Sequence, residues 1–473
     1  MDYRRERKIM TSEITSPAKQ GATGVVLRSA LVASLGGLIF GFDTAVISGT
    51  TSSLERVFGL DSFGLGIAVS SATIGTIFGA IFAGSLADRY GRKKMLFAIG
   101  LLFLIGGLGT ALAPASAYWL FLLCRVLGGI GVGMSSVCAP IYTAEIAPAA
   151  QRGRLVGLVQ FNIVLGILVA YASNALIRAI VSGPEAWRWM LAVMALPSAI
   201  FLLLLFTVPE TPRWLMSQGR DDEAIAISRR LCRTEEESDF EIAEIRQQLA
   251  ADAKKQRVPF FTKRYRKVIL MAICIAMFNQ LSGINAILYY APMVMQQAGA
   301  GEDVSYLMSI AVGFMNLIAT MTALTVIDKL GRRTLMLVGS IGYLISLGFL
   351  AGVMFVFEGN FTSTSSVMVL VGLMVFIAAH AFGQGSVIWV FISEIFPNQV
   401  RGRGQSLGST THWIFAAITS FAFPSMIELL GGGFSFLIFF ACMACQLIWV
   451  IKIMPETKGV PLEEMADKLG IEK

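Results

Sequence analysis

Twelve apolar stretches, each close to the ~20 residues that carry a helix across a bilayer, constrain this chain more than any other feature. They begin near Leu27, Gly64, Met95, Tyr118, Leu155, Trp189, Val268, Ser305, Leu335, Val367, Gly404 and Phe434. Inside a bilayer no water satisfies the backbone, so only helices or a closed barrel can span it, and runs this long and continuous are helices. A chain of 473 residues that is 55% hydrophobic, 15% charged and has a mean hydropathy of +0.69 reads as an all-α membrane protein.

The net charge of +7 would suggest nucleic acid as the partner of a soluble protein. Here 34 of the 38 Lys and Arg sit in the tail to Arg28, at Asp88–Lys94, Arg152–Arg154, Arg213–Lys267, Lys329–Arg333 and Arg401–Arg403, and from Lys452 onward. Alternate connections hold only Arg56, Arg178 and Arg188. Basic loops mark the cytoplasmic side, so both termini are expected there, in a multi-pass protein of the cell (inner) membrane whose partner is lipid and not nucleic acid. The first stretch is too long for a signal peptide's apolar core and is read as a retained helix. Six cysteines, mostly within spans, imply no disulfide framework, and the Cys442/Cys445 pair reads as packing. No metal and no cofactor are expected, and no nucleophile set or phosphate loop points to an enzyme.

The two halves repeat. ADRYGRKK at Ala87–Lys94 returns as IDKLGRR at Ile327–Arg333, AEIAPAAQRGR at Ala144–Arg154 as SEIFPNQVRGR at Ser393–Arg403, and PETPR at Pro209 as PETKG at Pro455, with offsets of 240, 249 and 246 residues. Three motifs in one order at nearly one spacing describe two six-helix halves. The expected divisions are a tail over 1–26, a first bundle over 27–208, a linker over 209–264, a second bundle over 265–455 and a tail over 456–473. In the linker Ala224, Ile225, Ile227 and Leu231, then Ile242, Ile245 and Leu249, recur at helical spacing, predicting short amphipathic helices beneath the bundles.

Charge inside a span is costly and is a functional hypothesis by default. Asp43 and Arg125 each lie seven residues from the end of an apolar segment, or roughly 10 Å deep at ~1.5 Å per residue. If their helices run in opposite senses the two share a depth and can meet. Protonation of the acid would free the base and change which arrangement of the bundles is favoured. The alternative is a static pair fastening the first helix to the fourth.

Taken together, DRYGRKK, the two ExxPxxxRG segments at Glu145 and Glu394, PETPR, PETKG and NQLSGIN at Asn279–Asn285 resemble the sugar porter family of the major facilitator superfamily, over nearly the whole chain. The resemblance implies two pseudo-symmetric six-helix bundles, joined by a short cytoplasmic helical linker, that rock about a midplane site for a monosaccharide such as glucose. It makes Gln160, Gln280, Asn285, Asn316 and Trp389 sugar contacts, with Phe40, Tyr289, Tyr290 and Trp413 lining or gating the cavity. Members that are proton symporters carry an acid at the position of Asp43, where facilitative glucose transporters carry Asn. Three positions depart from the pattern: Asn279 stands where Gln is usual, Ser386 where Pro is common, and Ile167 where the xylose/proton symporter has a second Gln and glucose facilitators also have Ile. A hexose carrier is favoured over a xylose specialist.

The residues themselves suit such a site. Asn279, Gln280, Asn285, Asn316, Gln384, His412 and the aromatic residues offer uncharged donors, acceptors and ring faces, as a neutral polyol requires, although polar side chains in spans also serve to join helices. An unbroken helix at ~100° per residue would set Gln280 and Asn285 about 140° apart, and a break at Gly283 would let both face one cavity. His412 either bonds the sugar, shares in proton transfer or is packed, while His380 is read as packed. Asp88, Arg92, Glu145, Arg152, Asp328, Arg332, Glu394 and Arg401 fall at cytoplasmic helix ends and are read as salt bridges latching the two bundles in the outward-open state. The expectation is a proton-coupled symporter functional as a monomer, with a facilitative uniporter or a transporter-like sugar sensor as the alternatives. A drug/proton antiporter would be expected to lack the amide cluster.

Overall fold

The computed structural model describes residues 23–471 except 150, 182, 254–257, 398, 461–464 and 466–468, with backbone alone at 252, 253 and 328. The amino-terminal tail to residue 22 and part of the tail after 456 lie outside the described residues. The membrane helices are α1 (Gly24–Val46), α2 (Ser62–Tyr90), α3 (Arg92–Leu112), α4 (Tyr118–Ile146), α5 (Arg152–Ile180) and α6 (Ala186–Leu205), then α7 in two pieces (Arg266–Leu281 and Ile284–Gln297), α8 (Glu302–Leu330), α9 (Arg332–Val356) and α10 (Ser363–Ile395). The last helical run, Arg401–Lys452, has 52 residues, or ~78 Å at 1.5 Å each, which is more than twice a hydrocarbon core. Gly431 breaks it with φ 77° and ψ 167°, giving α11 (401–430) and α12 (432–452). The twelve-helix architecture is therefore present, with the turn between the last two spans made at one glycine.

Helix ends are fixed locally. The Asp61 carboxylate accepts from the Gly64 N–H at 2.8 Å at the start of α2, and Thr362 and Ser365 form a reciprocal capping box at the start of α10. The repeated glycines Gly91 and Gly331 turn α2 into α3 and α8 into α9 with φ of 98° and 90°. A Cβ at either would also collide with a carboxylate, Glu210 or Glu456, from the repeated PET segments. Each motif therefore needs glycine for backbone conformation and for space.

Between helices the apolar effect is weak in lipid, so backbone proximity matters. Gly75 and Gly79 of α2 face the carbonyls of Val126 and Ile130, and Gly129 and Gly133 of α4 face those of Ala72 and Thr76, leaving no room for a Cβ on either helix. The outer surface exposes large apolar side chains such as Phe78, Phe82, Leu112, Phe206, Leu429 and Ile438, which is the surface lipid covers. The bundles meet where α5 packs on α8 and α2 on α11.

Three short helices, Pro212–Ser217, Asp221–Leu231 and Glu235–Ala253, form the linker. They share a small core of Trp214, Leu215, Met216, Ala224, Ile242 and Ile245, and the Trp214 Nε1–H donates to the Asp88 carbonyl at 2.9 Å, tying them to the end of α2.

Gly91→Ala is expected to lower the melting temperature of the detergent-solubilised protein, from left-handed strain of about 1–2 kcal/mol plus collision with Glu210. Gly352→Ala, on an exposed helical site with open space around it, should leave it unchanged or raise it. Equal melting of both variants would show that the turn is not constrained.

Candidate functional site

A cavity of about 870 Å³ lies between the bundles. Its walls come from α1 (Phe40), α5 (Gln160, Ile163, Ile167), α7 (Asn279, Gln280, Asn285, Tyr289), α8 (Asn316), α10 (His380, Trp389) and α11 (His412, Trp413). It extends along Ser85, Ser136, Pro140, Gly402 and Gln405, toward the ends of α2, α4 and α11 on the face that carries the linker. On the far side the bundles are closed against each other. The Tyr171 hydroxyl donates to the Leu288 carbonyl at 2.6 Å and that of Tyr306 to the Gly49 carbonyl at 2.7 Å. Arg178 at the end of α5 pairs with Glu302 at 2.9 Å and Asp303 at 3.2 Å at the start of α8. The cavity is thus open toward the linker side.

Helix α7 is interrupted at Gly283, whose φ of 88° and ψ of 11° are left-handed, and Gln280 and Asn285 on either side both reach the cavity. The Gln280 amide donates to Asn279 Oδ1 at 2.9 Å and lies 3.3–3.4 Å from the His412 ring nitrogens. Its Oε1 is buried with no partner among the described residues. An acceptor left unpaired in a packed interior is costly, and a ligand hydroxyl would satisfy it. Aromatic faces surround it: Trp389 and Trp413 lie 5.2 and 4.9 Å from the His412 ring, and Phe40 lies 6.0 Å from Trp413. No charged side chain lines this wall.

Asp43 Oδ1 accepts from Arg125 Nη1 at 2.9 Å, with the two residues 3% and 4% exposed. Gly128, one turn along α4 from Arg125, faces the same carboxylate, and Arg125 Nε has no partner among the described residues. Neither Asp43 nor Arg125 is among the residues that line the cavity. The pair therefore sits behind the cavity wall and not in it.

Two expected cavity residues are placed elsewhere. Gln384 is fully buried and donates to Gln446 Oε1 at 2.7 Å, which in turn donates to Ser340 at 2.8 Å, a chain joining α10, α12 and α9. Tyr290, also fully buried, donates to the Ser420 carbonyl at 2.9 Å and joins α7 to α11. Both are helix-joining polar groups in this structure. His380, expected to be packed, instead lines the cavity.

In this conformation, open on the linker side, the charges expected to latch the bundles in the outward-open state pair within their own bundles. Arg92 pairs with Glu145 at 3.0 Å and with the exposed Asp88 at 3.0 Å, all within the first bundle. Arg332 pairs with Glu394 at 2.8 Å, within the second. Arg152 donates to the Ala144 carbonyl at 3.0 Å, Arg401 is half-buried with its Nε and Nη2 atoms buried and unpartnered among the described residues, and the Asp328 side chain lies outside them. The reason is geometric: each repeated Arg opens the helix after its glycine turn and so points back across its own bundle. The sequence reading did not include among these charges the glutamates of the PET repeats. Glu210 accepts from the Arg92 and Lys93 N–H groups, and Glu456 from those of Arg332 and Arg333. The Thr211 and Thr457 hydroxyls donate to Glu145 and Glu394 at 2.6 Å. Burial raises the Glu210 carboxyl against its N–H donors, whereas burial at Glu456 is outweighed by four backbone N–H groups that hold it low. Their repetition in sequence was the signal that could have found them.

Two six-helix bundles around a central cavity with no charged side chain among its described lining residues define a membrane carrier of the major facilitator fold. Residues 29–469 match the family described as "Sugar (and other) transporter", and the chain belongs to it; it is a transporter and not an enzyme. It is 36% identical over 471 residues to the D-xylose-proton symporter of Escherichia coli K12, covering 92% of this chain and 94% of that one. With the arabinose-proton symporter of Bacillus subtilis it is 37% identical over 455 residues (95% and 96%), and with the glucose transport protein of Synechocystis 35% identical over 468 (95% and 99%). The solved structure of the Escherichia coli xylose transporter in a partially occluded inward-open conformation superposes with a TM-score of 0.82 at 34% identity, covering 93% of this chain and all of that one.

Because the far-side pair spans the bundles and the linker-side pairs do not, Arg178→Ala should shift the conformational distribution toward opening of the far side, read as a longer distance between spin labels placed there. Glu394→Ala should lower the melting temperature, leaving Arg332 buried without its carboxylate, with no such shift. A shift with Glu394→Ala as well would show that these charges also latch the bundles in the outward-open state.

Proposed function

We propose that this protein is a proton-coupled monosaccharide symporter of the cytoplasmic membrane, importing a hexose such as glucose by alternating access and acting as a monomer. The linker side, with its Lys and Arg, is then the cytoplasm and holds both termini. The observation that carries the reading is the buried Asp43–Arg125 pair beside an uncharged cavity. Two ionised groups at this depth cost ~2.5–3.5 kcal/mol each, and mutual pairing offsets that only while both stay charged. A proton arriving at Asp43 removes the reason for the contact and leaves Arg125 to seek another partner, which couples protonation to the arrangement of α1 and α4. Symport also agrees with the activities for which the xylose and arabinose relatives are named.

The sugar contacts in this reading are Gln160, Asn279, Gln280, Asn285, Asn316, Trp389 and His412, with Phe40, Tyr289 and Trp413 as ring faces. Hexose is favoured by Ile167, which gives that part of the cavity wall an apolar side chain, and by the glucose-transporting relative. The pentoses of the other two relatives are the competing substrates.

The deciding experiment is uptake of radiolabelled glucose into proteoliposomes, with galactose, xylose, fructose and inositol as competitors, with and without an inward proton gradient. Accumulation above equilibrium that collapses with an uncoupler is expected. Mere equilibration would make the protein a uniporter with a static pair, and stronger competition by xylose than by any hexose would make it a pentose carrier. Asp43→Asn should reduce the accumulation ratio to one while sugar exchange across the membrane persists.

A further inference from the structure

His380 ends the regular first part of α10 (Ser363–His380), where a π-helical turn at Ala381–Gly385 begins. The widened turn changes the facing of the residues after it, and the imidazole just before it lines the cavity together with Ala381, Gly385 and Trp389. One ring nitrogen is committed. Nδ1 lies 2.6 Å from the Tyr343 hydroxyl of α9, and Tyr343 is itself fully buried against Phe376 at 5.3 Å. The other is not: Nε2 has no protein partner among the described residues and is not among the buried orphan atoms, so it faces the cavity. Gly385 lies against this edge of the ring, and a Cβ there would come within 3.3 Å of Nε2.

The chemistry of the pair sets the tautomer. A phenol is the better donor and an imidazole nitrogen the better acceptor, so the Tyr343 O–H donates to Nδ1 and the proton of the neutral ring resides on Nε2. A directed N–H donor therefore points into the cavity, whose lining also includes Gln160 and His412.

We infer that His380 is a substrate contact, its Nε2–H donating a hydrogen bond to one sugar oxygen, with Tyr343 as the positioning residue that fixes its tautomer. This rests on the sugar-site reading above and adds a specificity-determining group on α10 to it. A neutral hydrogen bond of this kind discriminates by about three- to tenfold.

The test is calorimetric binding of D-glucose, D-xylose and their monodeoxy analogues to the full-length protein in detergent. One deoxy position should cost wild type about three- to tenfold in affinity and cost His380→Phe nothing further. His380→Gln, whose amide nitrogen reaches the place of Nε2, should restore that discrimination, and His380→Asn, which reaches only the place of Nδ1, should not. Tyr343→Phe keeps the ring packing and should weaken the same discrimination without abolishing binding. An identical deoxy profile in wild type and His380→Phe overturns the contact and leaves the sugar site standing. Failure of wild type to bind either sugar overturns both.

Discussion

Backbone that leaves the helix inside a membrane must be hidden from lipid or face a cavity, and the architecture of this transporter follows from where that permission is used. Among the described residues α7 breaks at Gly283 and α10 loosens into a π turn at Ala381–Gly385. Both irregularities border the central cavity. The break turns Gln280 and Asn285 toward one space, and the π turn lies between His380 and Trp389, which line the same cavity. From the first bundle, by contrast, α1, α2, α4 and α5 border the cavity as unbroken helices, with α2 and α4 held by backbone proximity at their glycines. The second bundle supplies most of the polar groups of the cavity, while the first supplies the buried ion pair. On the function proposed above, substrate recognition and proton coupling would then divide between the halves.

Much of this was legible in the sequence. Span number, the six-plus-six repeat, the meeting of Asp43 with Arg125 and the break at Gly283 all come from signals that survive in a membrane protein: length, charge and glycine. The facing of individual side chains does not. In water an apolar stripe marks the buried side of a helix, but a spanning helix is apolar toward lipid and toward its neighbours alike. Gln384 and Tyr290 were therefore assigned to the cavity by type, and only coordinates turn them to α12 and α11. His380 was missed for the reason in reverse: the π turn beside it has no strong sequence signature. The repeated acids and bases were recognised as a set, but whether Arg92 and Arg332 reach across the bundle interface or across their own bundle depends on the rotation of α3 and α9 after the glycine turn.

The PET segments give that difference a wider meaning. Glu210 follows α6 and Glu456 follows α12, so in each half the chain's last helix returns a carboxylate to the opening of the third. Each bundle is thereby tied from the end of its last helix back to the start of its third, and the buried linker-side ion pairs lie within those ties. What must be exchanged when the bundles rock is mostly neutral: tyrosine hydroxyls on carbonyls, glycine-lined helix faces and a single partly exposed ion-pair cluster at Arg178 on the far side. Breaking such contacts costs packing and desolvation, which salt screens little, so ionic strength on the linker face would bear on how the basic loops meet the membrane more than on these far-side contacts.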